Sequence, residues 1–211
     1  MKQIIFATGN AGKMKEIREI LNGTGWNVLS LKDAGIDAEI EENGTTFEEN
    51  AKIKAEGIRN WCLENGIPGC SGISAKEIIV LADDSGLEID WLGGEPGIYS
   101  ARYMGHETSY REKNANLISR LDGVPKEKRT ARFVCAIAAA LPDGNSLVTR
   151  GTIEGYIGWE ECGSNGFGYD PIFYLYKNDK STAELSAEEK NAISHRGKAL
   201  RQMKKMLEEQ K

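Results

Sequence analysis

Residues 78–86 read IIVLADDSG, in which a run of apolar residues ends at two adjacent aspartates and a Ser-Gly pair. The apolar run predicts a strand buried on both faces, as in a parallel sheet. Side chains alternate along a strand, so Asp83 and Asp84 point to opposite faces, and one acid can face a cleft while the other braces it. Ser85 and Gly86 predict a turn there, which any strand can carry. The functional interpretation is an α/β enzyme that holds a metal ion at this strand end.

Strand and helix patterns alternate on both sides of this stretch and predict an α/β fold. The predicted strands cover residues 2–8, 26–31, 78–83, 88–90, 130–141, 147–157 and 167–176, and the predicted helices cover residues 13–21, 46–62, 110–121 and 187–208. The length of 211 residues suits a single domain, 1–211, with two lobes. Glycines and a proline in residues 65–77 predict a surface loop and the place for an insertion.

Composition is that of a soluble globular protein, with 40% hydrophobic and 28% charged residues and a mean hydropathy of −0.46. No segment has the roughly 18 apolar residues of a membrane span, and the N-terminal apolar stretch is too short for a signal peptide. We therefore expect a cytoplasmic protein without a membrane partner. The net charge of −5 argues against a nucleic-acid partner but allows a small anionic ligand. The four cysteines lack C-x-x-C spacing, which favours free thiols over a zinc site.

The sequence TGNAGK at residues 8–13 lies between the first predicted strand and the first predicted helix. Backbone N–H groups and the positive end of a helix attract phosphate at such a junction, and the lysine adds a full charge. The spacing of the P-loop motif is absent, so a merely tight turn is the alternative. The candidate phosphate ligands are Thr8, Gly9, Asn10, Ala11, Gly12 and Lys13.

Glu41 and Glu42 precede a glycine in a loop, and Lys54 interrupts the apolar face of the predicted helix at 46–62. Such a lysine usually snorkels, and such glutamates are usually solvated. The functional hypothesis is that one glutamate meets the aspartate pair around a divalent cation while Lys54 reaches phosphate oxygens. Mg²⁺ suits a few carboxylates together with substrate phosphates. The sequence leaves open which glutamate and which aspartate are involved.

Two later segments carry groups suited to a nucleobase. Residues 165–171, NGFGYDP, alternate aromatic residues with glycine, and aromatic faces stack on bases. Residues 194–197, SHRG, lie within the last helical pattern, where a glycine costs roughly 1 kcal/mol relative to alanine and so needs a reason. With Lys190 one turn earlier, His195 and Arg196 can offer donors to a base carbonyl and a phosphate. The alternative is a solvated, charged helix.

Six motifs follow one another in order along the chain. They are TGNAGK at 8–13, FEENA at 47–51, LADDSGL at 81–87, GGEPGIYSARY at 93–103, GFGYDPIF at 166–173 and EKNAISHRG at 189–197. Together they closely resemble the inosine triphosphate pyrophosphatase family, whose bacterial members are dITP/XTP pyrophosphatases. Residues 60–77 depart from the pattern, because this link looks longer than is usual in the family. The resemblance implies an elongated, mixed and twisted β-sheet flanked by helices, two lobes around a central active-site cleft, and a homodimer.

The same resemblance implies Mg²⁺-dependent hydrolysis of the non-canonical purine nucleoside triphosphates ITP, dITP and XTP to monophosphate and pyrophosphate. It implies that Asp84 is the proton acceptor and a metal ligand, with Asp83 as the alternative acid, and that Glu41 or Glu42 is a second metal contact. Residues 8–13 would hold the triphosphate. The other implied nucleotide contacts are Ser85, Phe167, Gly168, Tyr169, Asp170, Lys190, His195 and Arg196.

The residue chemistry agrees with that reaction. Cleavage between the α and β phosphates needs positive charge on the leaving pyrophosphate and a group that orients or deprotonates water. Magnesium with Lys13 and Lys54 supplies the charge, and Asp84 or Asp83 supplies the base. Arg196 facing the purine 6-position would pair with a keto group and oppose the amino group of adenine.

Two other functions are compatible with parts of this pattern. A nucleotide-binding module that does not hydrolyse would need only the phosphate loop and the aromatic segment, and the acidic residues tell against it. A pyrophosphatase of modified pyrimidine triphosphates, as in the similar Maf-like family, would share the chemistry. A panel of triphosphates distinguishes the three.

Overall fold

The computed structural model describes residues 2–70, 72 and 74–209 of the chain. The strands are β1 (Lys2–Phe6), β2 (Trp26–Ser30), β3 (Ile79–Ile89), β4 (Thr130–Ala140), β5 (Ser146–Ile157) and β6 (Phe173–Tyr174). The α-helices are α1 (Ala11–Ile20), α2 (Phe47–Asn65), α3 (Tyr110–Arg120), α4 (Ala187–Ile193) and α5 (His195–Glu209). The strands form one sheet in the order β2-β1-β3-β4-β5-β6. Strand β1 is parallel to β2 and β3, and β5 is antiparallel to β6, so the predicted mixed α/β class is confirmed.

The chain divides into two compact units, each with its own apolar core. The first unit comprises Met1–Asp84, Cys135–Gly151 and Arg196–Lys211, and the second comprises Ser85–Val134 and Thr152–His195. The core of the first unit includes Phe6, Ile17, Leu81, Ile137 and Leu200. The core of the second unit includes Leu87, Leu117, Ile157 and Phe173. Strands β3, β4 and β5 each contribute residues to both units.

The predicted turn at Ser85-Gly86 is wrong, and so is the separate strand predicted over 88–90. Strand β3 continues without interruption from Ile79 to Ile89. Leu87 and Ile89 are fully buried, and the Leu87 N–H donates to the Ser100 hydroxyl at 2.9 Å. Burial of these apolar side chains in the second core therefore outweighs the local turn preference of Ser-Gly.

The predicted final helix over 187–208 is two helices rather than one. Ser194 has φ −64° and ψ 155°, an extended conformation that separates α4 from α5. His195 and Arg196 consequently lie at the start of α5, and both are buried. The helical periodicity of residues 187–208 gave no sign of this break.

The predicted last strand over 167–176 is reduced to Phe173–Tyr174. Residues Asp170–Ile172 form a short 3-10 turn that contains Pro171. Proline lacks the N–H group that a strand needs, which explains the shortening.

Residues 65–77 include the last residue of α2 and, in the part that the structure describes, turns and irregular chain. Gly69 N–H donates to the Ala34 carbonyl at 2.9 Å, and Ile67 is 8% exposed, so this segment packs on the first unit. The interpretation of this segment as an insertion stays a prediction. In the described part of the chain, no helix is both long enough and apolar enough to cross a membrane.

A buried arginine joins three backbone segments of the second unit. Arg129 is 1% exposed and donates to the carbonyl oxygens of Leu121 at 2.7 Å, Ile157 at 2.7 Å and Gly158 at 2.5 Å. Its guanidinium lies 4.8 Å from the centroid of the Trp159 ring. Burial disfavours the charged form of Arg129 and lowers its pKa. The three carbonyl oxygens and the Trp159 ring stabilise the charge of the guanidinium.

Replacement of Arg129 by methionine should lower the free energy of unfolding by about 3 kcal/mol, because three buried carbonyl oxygens lose a charged donor. Arg129→Lys should destabilise less, since one ammonium group retains the charge but not the planar fork. Urea unfolding followed by circular dichroism measures both. Arg111→Met, at an exposed position of α3, is the control and should change stability by less than about 0.5 kcal/mol. An Arg129→Met variant as stable as this control would contradict the role assigned to the guanidinium.

Candidate active site

The phosphate loop predicted at residues 8–13 connects β1 to α1. The side chain of Asn10 caps the helix by accepting from the Lys13 N–H at 3.0 Å, and the Asn10 N–H donates to the Thr8 hydroxyl at 3.2 Å. The helix begins at Ala11, two residues earlier than predicted. The loop therefore places a helix N-terminus and the Lys13 side chain together, which is an arrangement that attracts phosphate.

Asp83 is the bracing acid of the pair. Its side chain is fully buried, and its Oδ2 lies 3.0 Å from Lys13 Nζ and 3.5 Å from Arg196 Nη2. Its backbone carbonyl accepts from Lys54 Nζ at 3.3 Å. Burial alone would raise the pKa of Asp83, but the positive charges of Lys13, Arg196 and Lys54 outweigh it and hold the pKa well below its usual range. Asp83 is therefore ionised and engaged with cations of the protein.

Asp84, on the opposite side of the strand, has a different environment. It is half-buried, and its Oδ2 accepts from the Asn50 amide at 3.1 Å. The Asn50 carbonyl oxygen in turn accepts from the Gly44 N–H at 2.8 Å, which fixes the amide. Burial raises the pKa of Asp84 to about 6, and the charge of Glu42 adds to this against the opposing effects of Lys13, Asn50 and Lys54. Such a pKa suits a group that takes a proton from water near neutral pH.

Of the two candidate glutamates, Glu42 is the one held beside the acid pair. Its Oε1 lies 2.9 Å from Lys54 Nζ, and its charge acts on Asp84. Glu41 is exposed. Lys54 thus contacts both Glu42 and the Asp83 carbonyl from its position on α2. These two contacts satisfy the lysine that the sequence places on the apolar face of this helix.

A magnesium ion fits part of this cluster. Within residues 2–70, 72 and 74–209, no three histidine, cysteine, aspartate or glutamate side chains converge as a preformed metal site. Asp84 and Glu42 are two neighbouring carboxylates whose mutual repulsion contributes to the raised pKa of Asp84. Mg²⁺ is commonly bound by one or two carboxylates together with substrate phosphates. Asp83 fits poorly as a ligand, because Lys13 and Arg196 already balance its charge.

The predicted aromatic segment lies in the second unit and is anchored by Asp170. The Asp170 carboxylate accepts from Lys190 Nζ at 2.6 Å, from the Phe167 N–H at 2.8 Å and from the Thr182 hydroxyl at 2.8 Å. Lys190 also lies 5.1 Å from the centroid of the Phe167 ring. Phe167, Asp170 and Lys190 are thus brought together as the sequence predicted, and the half-buried Phe167 ring offers a flat face.

Tyr169 contributes to this segment from the inside. Its side chain is 4% exposed, its hydroxyl donates to the Ser100 carbonyl at 2.7 Å, and the Tyr110 ring meets it edge-on at a centroid distance of 5.2 Å. The sequence did not distinguish Tyr169 from Phe167. Burial makes Tyr169 a support of the segment rather than a surface for stacking.

The two buried residues at the start of α5 belong to different units. His195, in the second unit, stacks on Phe133 at 5.0 Å with an interplanar angle of 17°. Arg196, in the first unit, donates to Glu16 and lies beside Asp83. The structure thus groups Arg196 with the carboxylates, and its contact with a purine stays a prediction. Ser85 is half-buried and follows Asp84 directly.

Two residues of this cluster were missed by sequence reasoning. Asn50 lies inside the FEENA motif and holds Asp84, and Glu16 lies on the buried side of α1 and binds Arg196. Each is a polar residue followed directly by an apolar residue within a helix, a pattern that by itself is ambiguous. Burial raises the pKa of Cys62 to about 11 and of Cys135 to about 12, which keeps both thiols protonated near neutral pH.

Comparisons with known proteins agree on one family. The model of the Ham1 family matches residues 4–206. A dITP/XTP pyrophosphatase of Bacillus subtilis is 48% identical over 208 residues, which cover 99% of this chain and 98% of the relative. A dITP/XTP pyrophosphatase of Clostridium perfringens is 46% identical, with coverage of 97% and 96%. The structure of the Staphylococcus aureus Ham1 protein superposes with a TM-score of 0.83 at 40% identity, and each chain is covered completely.

The raised pKa of Asp84 predicts how this residue affects stability with pH. Its folded-state pKa of about 6 exceeds the usual 3.8, so the stability associated with the protonated carboxyl is present at low pH and is lost as pH rises through 6. In EDTA, Asp84→Asn should therefore stabilise the protein by about 2 kcal/mol at pH 7.5 and by less at pH 4. Urea unfolding at the two pH values measures the difference.

Asp143→Asn is the control for this pH experiment. Asp143 is exposed, and hydrogen bonds from the backbone and side chain of Asn145 lower its pKa, so its removal should not stabilise the protein at pH 7.5. An Asp84→Asn variant that is less stable than wild type at pH 7.5 would contradict the assignment of burial as the dominant influence on Asp84.

Proposed function

Since the chain belongs to the Ham1 family, we propose that it hydrolyses the non-canonical purine nucleoside triphosphates dITP, XTP and ITP to the monophosphate and pyrophosphate. The observation that carries this proposal is the acid pair of β3 beside the phosphate loop. Asp83 is neutralised by Lys13 and Arg196, whereas Asp84 is left with a pKa of about 6. Asp83 thus holds neighbouring cations in place, whereas Asp84 is suited to accept a proton.

In this reaction the phosphate loop and two lysines bind the triphosphate. The N-terminus of α1 and Lys13 attract phosphate oxygens, and Lys54 can reach them by exchanging Glu42 for substrate. Negative charge develops on the pyrophosphate as it leaves, and the N-terminus of α1 and the two lysines stabilise that charge. Both lysines are anchored to Asp83, through its carboxylate or its carbonyl, which holds them in place before substrate arrives.

Asp84 is the proton acceptor in the proposal. Asn50 holds its carboxylate, so one oxygen has a fixed orientation while the half-buried group remains open to water. At neutral pH the carboxylate is mostly ionised and can take a proton from an attacking water. Asp84 and Glu42 are the residues that would hold Mg²⁺, and the bound ion would supply positive charge to the phosphate oxygens.

The aromatic segment is the proposed site for the purine. Phe167 offers a ring face for stacking, and Lys190, fixed by Asp170 at 2.6 Å, offers a donor for a keto oxygen. An adenine amino group would leave that donor without an acceptor, which disfavours ATP. We also propose that the protein acts in the cytoplasm, where the nucleotide pool lies, and that it assembles as a homodimer.

The deciding experiment compares pyrophosphate release from ITP, dITP, XTP, ATP, GTP and a modified pyrimidine triphosphate, each with Mg²⁺ and with EDTA. Mg²⁺-dependent release that favours ITP, dITP and XTP is the expected result. Release of single phosphate would contradict the assigned bond, and preference for a modified pyrimidine triphosphate would favour a Maf-like activity. Tight binding of ITP without any release would indicate a binding module.

The two acids should respond differently to removal of their charge. Asp84→Asn should lower kcat for ITP by roughly 10³-fold, since general base catalysis contributes about 10² to 10⁴, while the fold persists. Asp83→Asn should lower stability as well as activity, because Lys13 and Arg196 lose their shared carboxylate. Steady-state kinetics and urea unfolding of both variants measure the split. If Asp83→Asn is stable but inactive and Asp84→Asn retains kcat, the roles of the two acids are reversed.

A further inference from the structure

Asn114 on α3 is a buried amide that contacts the loop carrying the proposed purine site. It is 1% exposed, and its Nδ2 donates to the Gly168 carbonyl at 3.3 Å and to Glu161 Oε1 at 2.7 Å. Both acceptors flank the segment around Phe167, and all four residues belong to the second unit. A single side chain thus joins a rigid helix to two points of one loop.

The chemistry of these contacts requires a donor at position 114. The amide nitrogen of Asn114 has two N–H groups, and its two partners are a carbonyl oxygen and a carboxylate, which only accept. The opposite amide orientation would place Oδ1 against both acceptors. Oδ1 itself is buried and has no hydrogen-bond partner among the residues that the structure describes. Asn114 therefore leaves its Oδ1 without a hydrogen bond while its Nδ2 makes both contacts with the loop.

The Gly168 carbonyl is followed along the chain by two other anchored residues. Tyr169 is fixed through its hydroxyl to Ser100, and Asp170 is fixed by Lys190. Gly168 has φ +68°, a left-handed conformation that glycine adopts readily, and a Cβ there would lie 3.4 Å from the Tyr110 ring. Phe167 precedes this glycine, so the direction of the Gly168 peptide influences where the Phe167 ring lies.

We propose that Asn114 is a positioning residue that fixes the Gly168 carbonyl and thereby orients Phe167 for purine stacking. This inference rests on the proposed function of the same site. Asn114 acts through the loop and does not touch the reacting atoms. Its loss should weaken binding of the purine and leave the acid pair of the first unit unchanged.

Asn114→Leu removes both donors at nearly constant volume. It should raise KM for ITP about 10-fold and change kcat by less than about twofold, because it removes binding that is equal in ground and transition states. Asn116→Leu is the matched control on the same helix. Asn116 accepts from the Tyr103 hydroxyl at 2.8 Å, and its replacement should leave KM unchanged. A merely structural role of Asn114 would instead reduce the active fraction, which lowers apparent kcat at constant KM.

A pair of variants that exchanges the amide and the carboxylate between positions 114 and 161 separates the two contacts of Asn114. Asn114→Asp places a carboxylate against the Glu161 carboxylate and the Gly168 carbonyl, so it should lower both stability and affinity for ITP. Addition of Glu161→Gln provides an amide that donates to the aspartate introduced at position 114, which should restore stability. It cannot restore the Gly168 contact, so KM should stay high. Restoration of KM in the double variant would overturn the assignment to Gly168.

Hydrogen–deuterium exchange of residues 161–170 gives a readout that needs no catalysis. Asn114→Leu should increase exchange in this segment, and Asn116→Leu should not. Unchanged exchange in Asn114→Leu would contradict the positioning role even if KM rises. If wild type releases no pyrophosphate from ITP while Asn114→Leu still loosens the segment, the proposed function fails and the loop assignment stands.

Discussion

The buried carboxylate of Asp83 organises the first unit. A fully buried charge is costly unless cations compensate it, and here Lys13 lies at 3.0 Å and Arg196 at 3.5 Å. Lys54 binds the carbonyl of the same residue at 3.3 Å. These cations come from α1, α5 and α2, so three helices are tied to one point of β3. The loop at residues 8–13 is tied to the same point, because it leads into α1, the helix that carries Lys13.

Alternation of side chains along β3 then gives two adjacent aspartates opposite properties. Asp83 has a lowered pKa because cations surround it, and Asp84 has a pKa raised to about 6 by burial, to which the charge of the neighbouring Glu42 adds. Two identical groups therefore have different protonation behaviour through environment alone. This separation depends on the strand continuing past Asp84, since a turn there would release the second acid from its fixed direction.

The second unit uses a different device, in which buried side-chain donors bind backbone carbonyl oxygens. Arg129 holds three carbonyls, Lys113 holds that of Ala101 at 2.8 Å, and Tyr169 holds that of Ser100 at 2.7 Å. Loops carry many backbone oxygens that no ladder satisfies, so such donors give irregular chain a defined conformation. The loops of the second unit are in this way held in fixed conformations.

Sequence alone determined most strands and helices along the chain, the loop at residues 8–13 between β1 and α1, and the position of the acid pair, because these depend on periodicity and on neighbouring residues. It could not tell that Asp83 and Asp84, or Glu41 and Glu42, have different surroundings, and it missed the continuation of β3 and the break at Ser194. Those features depend on contacts between distant residues, such as Glu16 with Arg196 across 180 positions. Tertiary structure decided them because burial and charge pairing act through space, and a local pattern contains no record of which side chains will meet.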